Sequence, residues 1–193
     1  MLGESKTLLM LMQRFLYLAF LIAFISCEEA NQVDQNDQDK QVDHIREQLK
    51  KAWQRSEEYS LSIVNQMPEE GFSLRSTPET MTYAEQWRHC VLYTCSQLSG
   101  NLAVKNPYAD RRLPVQMPKK DVVNELKHMY AFVLELIETT PDSMLLNNID
   151  FAGDHIPGWR LFYAMDNHII HHRGQCIVYL RLQGITPKGY YGW

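Results

Sequence analysis

Apolar residues recur every three or four positions in four separate segments of the chain, and this spacing constrains the fold more than any other feature. Residues 119–139 show it most clearly. The apolar positions there are Val122, Val123, Leu126, Met129, Tyr130, Val133, Leu136 and Ile137. A helix with one apolar face must bury that face against other elements, and no segment of useful length alternates as a strand does. The sequence therefore predicts an all-α fold, a four-helix bundle.

Caps and helix breakers predict where the four helices begin and end. We expect helices over about 43–65, 83–98, 119–139 and 157–183. Asp43 is a typical N-cap for the first helix, and Thr80 or Thr82 is the expected N-cap of the second helix. Gly100 and Gly184 indicate helix ends. The stretch 142–157 is predicted to be irregular.

The first 26 residues have the features of a bacterial export signal. Positive charges precede residues 15–25, an unbroken apolar run of eleven residues. A membrane-spanning helix needs about 20 apolar residues, so the run is typical of a signal peptide. It leads to Phe24-Ile25-Ser26-Cys27, which resembles a lipobox with Cys27 as the lipidated residue, although Phe24 stands where Leu is usual. An ordinary signal peptide or an uncleaved anchor is the alternative.

Residues 27–43 are almost entirely polar and contain too few apolar side chains to offset the entropy of ordering. We expect a disordered tether here, followed by one domain over 44–193. The layout predicts an exported lipoprotein, attached to the membrane through its N-terminal lipid and facing the periplasm or the cell exterior.

Charge and cysteine content narrow the function classes. A net charge of −4 and a pI near 6.0 argue against a nucleic-acid partner. Besides Cys27 the chain has Cys90, Cys95 and Cys176. Cys90 and Cys95 project about 140° apart on one helix and cannot pair with each other. A disulfide from either one to Cys176 stays open, but buried free thiols are favoured.

Two histidines four residues apart are candidates for metal binding. His168 and His172 lie on the last predicted helix, so both imidazoles face the same side, one turn apart. His89 lies on the second helix in a seam of polar residues, which suits either a wet cleft around an ion or a solvated face. His171 projects towards the polar side and is not expected to be a ligand.

Two segments carry a resemblance to a known family. The string NHIIHHRGQCIVYLRLQGITP at 167–187 resembles the last helix of the DinB/YfiT-like family, and AEQWRH at 84–89 resembles the segment that supplies that family's single histidine. The resemblance implies an up-down-down-up four-helix bundle. It also implies a divalent metal ion, zinc or nickel, bound by His89, His168 and His172.

Residues near the metal follow partly from the same resemblance and partly from helical spacing. Arg173 and Gln175 match the family's Arg-Gly-Gln string and are expected to pack and hydrogen-bond near the site. Glu85, one turn before His89, could orient its imidazole or take a fourth position. Glu85 and His171 are the candidates for a catalytic acid or base.

Two functions follow as hypotheses. The first is a metal-dependent enzyme, either a hydrolase or a thiol S-transferase, acting on a hydrolysable substrate or a small-molecule thiol. The second is a non-catalytic metal-binding or stress-response module tethered to the membrane. The sequence also leaves a homodimer open.

Overall fold

A computed structural model describes residues 37–190, and Cys27 and the predicted signal peptide lie outside this range. The chain divides into two units between His44 and Ile45. In the first unit, residues 37–44 are helical. The expected helix start at Asp43 is therefore wrong, because Asp43 lies inside helical backbone.

The second unit contains the helices of the bundle. Helix α1 covers 45–66 within it, and a 3₁₀ turn follows at Glu69–Ser73. The later elements are α2 (Tyr83–Asn101), α3 (Lys119–Thr139), α4 (Asp142–Leu146), β1 (Asn148–Phe151), β2 (Asp154–Pro157) and α5 (Gly158–Leu182). None of the helices within 37–190 combines the length and the apolar character that a membrane crossing requires.

Helix α2 begins as predicted but ends later. The Thr82 side chain accepts from the backbone N–H of Glu85 at 3.1 Å, and the Glu85 carboxylate accepts from the backbone N–H of Thr82 at 2.6 Å. This reciprocal pair is a capping box. The expected end near Gly100 is wrong, because the helix continues to Asn101 and the chain turns at Ala103, whose φ is 53°.

The stretch 142–157 is ordered, which corrects the expectation of an irregular segment. After the short helix α4, strands β1 and β2 form an antiparallel hairpin in which Ile149 faces Ile156. Its two turn residues, Ala152 and Gly153, both have positive φ, 54° and 86°. Such turns favour Asn-Gly or Asp-Gly, so Ala-Gly gave no strong hairpin signal.

The start of α5 depends on Gly158. Its backbone N–H donates to the Asn147 carbonyl at 3.0 Å. A Cβ atom at position 158 would lie 1.9 Å from the Met144 carbonyl oxygen. Any larger residue would therefore push α4 away from the first turn of α5.

Hydrogen bonds between the helices define their directions. Lys50 near the start of α1 pairs with Glu138 near the end of α3 at 2.5 Å. The Lys119 ammonium, at the start of α3, donates to the Asn65 carbonyl at the end of α1 at 2.7 Å. Helices α1 and α3 are therefore antiparallel.

Helix α5 is parallel to α1 and antiparallel to α2. Its Arg173 guanidinium donates to the Ser56 carbonyl, and ten residues further along α1 the Gln66 amide donates to Thr186, just after α5. On α2, Gln86 bonds Gln175, and three residues later His89 meets His168, seven residues earlier on α5. The four long helices therefore run up, down, down and up. This confirms the all-α bundle expected from the sequence.

Large aromatic side chains fill the core of the bundle. Trp53, Trp87, Tyr83, Tyr130, Tyr179 and Phe162 are all almost fully buried. Trp53 and Tyr130 pack edge to face, with ring centroids 5.8 Å apart, which joins α1 to α3. The hydroxyl of Tyr130 is satisfied by Ser60 at 2.8 Å. The Tyr130 hydroxyl is thus paired, whereas the indole nitrogens of Trp53 and Trp87 are buried without a hydrogen-bond partner.

Truncating one leucine in this core should destabilise the bundle. Leu126 on α3 is fully buried, whereas Leu182 at the end of α5 is 58% exposed. Leu126→Ala should lower the free energy of unfolding by about 2–5 kcal/mol, because it removes packed methyl groups and leaves a cavity. Urea denaturation gives this value. The matched variant Leu182→Ala should change it by about 0.5 kcal/mol or less; equal losses in both would contradict the described core.

Candidate metal centre

Three imidazoles from α2 and α5 converge on one point. The Nε2 atom of His168 lies 3.1 Å from Nε2 of His89 and 3.2 Å from Nε2 of His172. Each residue offers one ligand atom, and these atoms lie within 4.8 Å of one another. His172 is buried, and the other two are half-buried. The structure therefore brings together the three histidines singled out in the sequence.

The local sequence explains this convergence. His168 and His172 are one turn apart on α5, so their side chains point to the same side of the helix. The capping box at Thr82 and Glu85 fixes the start of α2. His89 then lies one turn beyond Glu85, opposite His168. Antiparallel packing of α2 and α5 completes the set.

Burial keeps these histidines neutral. Loss of solvation, together with the neighbouring imidazoles, lowers the pKa of His168 and that of His172 from 6.5 to about 4. Desolvation, then the charge of Arg88, also lowers the pKa of His89. A neutral imidazole has one nitrogen with a free lone pair, and a metal ion requires this form. All three side chains are therefore in the metal-binding protonation state near pH 7.

A row of amide groups extends from the ligand His172. Its Nδ1 lies 2.5 Å from Oε1 of Gln86, and Nε2 of Gln86 donates to Oε1 of Gln175 at 2.8 Å. The Nε2 atom of Gln175 lies 2.9 Å from Nε2 of His171. Gln86 is almost completely buried. Its position in the polar seam was visible in the sequence, one turn before His89, but its pairing with α5 was not.

The ring of Tyr93 covers one side of the histidine cluster. It stacks on His168 with ring centroids 4.2 Å apart and an interplanar angle of 27°. The same ring lies 5.6 Å from the His89 ring. Tyr93 follows His89 by four residues, so the helical spacing that predicts the ligands also places this ring beside them. It limits the rotation of the His168 imidazole.

The donor set fits a divalent metal ion. Three imidazole nitrogens approach one another closely, and Gln86 occupies the second nitrogen of His172, leaving its Nε2 lone pair directed at the cluster. Zinc and nickel both accept imidazole ligands. Among the described residues the cluster includes no carboxylate or thiol. A metal held by these three side chains keeps coordination positions for water or substrate.

Glu85 has a different set of partners from those expected. Its carboxylate accepts from the Thr82 backbone and pairs with Arg75 at 3.0 Å. The hydrogen bond from the Thr82 backbone is the main reason that its pKa is lowered. Glu85 therefore caps α2, and none of its described hydrogen bonds goes to His89. The Thr-x-x-Glu pattern at 82–85 was the sequence signal for this role.

Arg173 connects α5 to α1. Its guanidinium donates to the Ser56 carbonyl, to the Ser56 hydroxyl and to the Ser60 hydroxyl at 3.1–3.2 Å. It also lies over the Tyr59 ring, 4.8 Å from its centroid. Arg173 thus supports the helix that carries the ligands, and Gln175 is the residue of the Arg-Gly-Gln string that reaches towards them.

The three cysteines of the bundle are reduced and buried. This confirms the preference for free thiols over a disulfide to Cys176. Burial raises the pKa of Cys95 to about 12. Burial also raises the pKa values of the other two thiols. None of these thiols ionises near neutral pH.

An up-down-down-up bundle with three histidines between its second and last long helices defines a class of small helical proteins with a candidate metal site. The model of the DinB family matches residues 43–193. The chain therefore belongs to the DinB family, as the two sequence segments suggested.

Individual relatives agree with this assignment. The uncharacterized protein YrdA of Bacillus subtilis (strain 168) is 25% identical over 145 residues, which cover 74% of this chain and 85% of YrdA. The crystal structure of a DinB-like protein from Bacillus cereus ATCC 10987 has a TM-score of 0.63 at 23% identity. That of the DinB-like protein YjoA from Bacillus subtilis has a TM-score of 0.61 at 17% identity. Each structural match covers 75% of this chain and 97% of the other, and at these identities it establishes the shared fold.

Loss of any one of the three histidines should abolish stoichiometric metal binding. His89→Ala, His168→Ala and His172→Ala each leave two imidazoles, too few to hold an exchangeable ion. Elemental analysis after dialysis against zinc or nickel should give about one ion per wild-type chain and far less for each variant. His128→Ala is the matched control and should retain the metal, because this exposed histidine lies on α3, outside the cluster. Full metal content in all three variants would remove the site.

Proposed function

We propose that this chain is a divalent-metal-dependent enzyme of the hydrolase or thiol S-transferase type. The observation that carries the proposal is the convergence of three neutral imidazoles with no carboxylate or thiol in the described cluster. Structural zinc sites are usually closed by four protein ligands, whereas catalytic sites use three. When bound, a divalent cation supplies Lewis acidity, which makes a nucleophile available near neutral pH.

The chain's own residues would hold and shield this centre. His89, His168 and His172 bind the ion, and Gln86 holds the His172 ring through Nδ1. The half-buried ring of Tyr93 covers one side of the His168 ring. The Gln175 amide donates to Nε2 of His171 in the described arrangement.

A surface pocket of about 220 Å³ lies between the hairpin and the first turns of α5, where Arg160, Tyr163 and Ala164 line it. Ala164 precedes His168 by one turn of α5, about 6 Å along the helix axis. None of the three histidines lines this pocket.

Reconstituted full-length protein should turn over one of two substrate classes. We would assay activated esters and amides for hydrolysis, and pairs of a small thiol and an electrophile for transfer. Activity should depend on added zinc or nickel, and His168→Ala should reduce it to background because the ion is lost. Leu182→Ala, far from the centre in sequence and exposed, should retain it. Stoichiometric metal without turnover of either class would favour the non-catalytic metal-binding module.

We further propose that the protein is exported and tethered to the membrane through lipidated Cys27. The support is the charged and apolar segment before Cys27, the lipobox-like string and the polar residues 28–43. This would place the metal centre in the periplasm or on the cell exterior.

Replacing Cys27 should release the protein from membranes. Wild-type protein should partition with the membrane fraction, since acyl chains contribute about 0.8 kcal/mol per buried CH₂ group. Cys27→Ser should appear in the soluble fraction, whereas Cys90→Ser, which removes a buried thiol, should stay with the membrane. An immunoblot shows which fraction contains each variant, and incorporation of labelled fatty acid shows whether the protein is lipidated. A soluble wild-type protein without label would exclude lipidation.

A further inference from the structure

The hydrogen bonds beyond His172 all run in one direction. Gln86 uses its carbonyl oxygen towards His172 and its amino group towards Gln175. Gln175 in turn uses its carbonyl oxygen towards Gln86 and its amino group towards His171. We call these four residues the amide relay. A primary amide has one accepting and one donating end, so the orientation of one glutamine amide determines the orientation of the next.

This direction determines the tautomer of a metal ligand. Since the oxygen of Gln86 accepts from His172, the proton of the neutral imidazole must be on Nδ1. The lone pair is then on Nε2, the atom that lies 3.2 Å from His168. With the relay reversed, the Gln86 amino group would face Nδ1. The His172 proton would move to Nε2, and the nitrogen that faces the cluster could no longer bind a metal.

We propose that Gln86 is a positioning residue that sets the tautomer of His172, and that the exposed side chain at position 171 selects the direction of the relay. The inference rests on the proposed metal centre. In this proposal a surface residue outside the ligand set governs, through hydrogen bonds, whether His172 can bind the ion. Gln175 has a defined role, because its amide orientation links His171 to Gln86 and so to His172.

Because Gln86 is buried, its amide requires a matching hydrogen-bond partner at each end. Gln86 is only 2% exposed, so water cannot replace a mismatched partner there. An unsatisfied buried amide is costly, and Gln86 must therefore turn to match its neighbours. Position 171 is exposed, so it tolerates many side chains. A change at the surface can thus alter the hydrogen bonding inside without creating a cavity.

The first test changes the accepting group itself. Gln86→Leu removes the acceptor, whereas Gln86→Glu keeps an oxygen that accepts from Nδ1. Gln97→Leu, on the same helix and outside the relay, is the control. In the metal-free full chain, ¹⁵N NMR of the His172 ring should show the Nδ1–H form in wild type and in Gln86→Glu. In Gln86→Leu the Nε2–H form should appear, and zinc affinity should fall about 10- to 100-fold.

The second test reverses the relay from its exposed end. Lysine donates hydrogen bonds and cannot accept them, so His171→Lys should turn both amides and move the His172 proton to Nε2. Asn167→Lys places the same charge one turn away on α5, outside the relay. Zinc affinity should fall further in His171→Lys than in Asn167→Lys, and the tautomer should change only in the former. Equal losses without a change of tautomer would overturn the role of position 171.

The outcomes separate this inference from the proposed function. If wild-type protein binds no zinc but shows the expected tautomers, the metal centre fails and the relay stands. If wild type binds zinc and Gln86→Leu binds it equally with an unchanged tautomer, the relay fails and the metal centre stands. His171→Lys and Gln86→Glu keep the test decisive should Gln86→Leu fail to fold.

Discussion

The antiparallel packing of α2 against α5 is the interaction on which the rest of the structure depends. It is apolar at one end, where Tyr83 and Tyr179 meet edge to face at 6.1 Å. Three residues further along α2 it becomes polar, with Gln86 against Gln175 and then His89 against His168. Because the two helices are antiparallel, each interface residue on one helix faces a fixed partner on the other. The histidine cluster exists only in this register.

Polar groups in such an interface cost free energy unless each one has a partner. The described structure pairs Gln86 on both ends of its amide and leaves Nδ1 of His168 buried without a hydrogen bond. A purely structural interface between two helices would be more stable with apolar side chains at these positions. The cost is understandable if the three imidazoles are kept neutral and close together for a ligand.

The sequence predicted the parts of this arrangement that depend on local spacing. The ends of α3 follow from its helix breakers, and the shared face of His168 and His172 follows from helical periodicity. The pairing of Gln86 with Gln175 did not, because it requires the register between two helices 89 residues apart in sequence. The spacing to His89 predicts a place for Glu85 near the metal, although the hydrogen bonds between Glu85 and Thr82 are equally local. The hairpin at 148–157 lacked the usual turn residues.

The close approach at Gly158 has a consequence for how this protein can vary. The glycine lies ten residues before His168, about 15 Å along the axis of α5. The Met144 carbonyl oxygen lies only 1.9 Å from where a Cβ would be, and the Gly158 N–H donates to the Asn147 carbonyl, so the backbone of the connecting segment packs closely on the start of the helix. Insertions in the hairpin before this point would leave the positions of His168 and His172 on the helix unchanged. A single methyl group at position 158 would instead push α4 away from the first turn of α5. The tolerance of the protein to sequence change therefore falls abruptly between the hairpin loop and the first residue of α5.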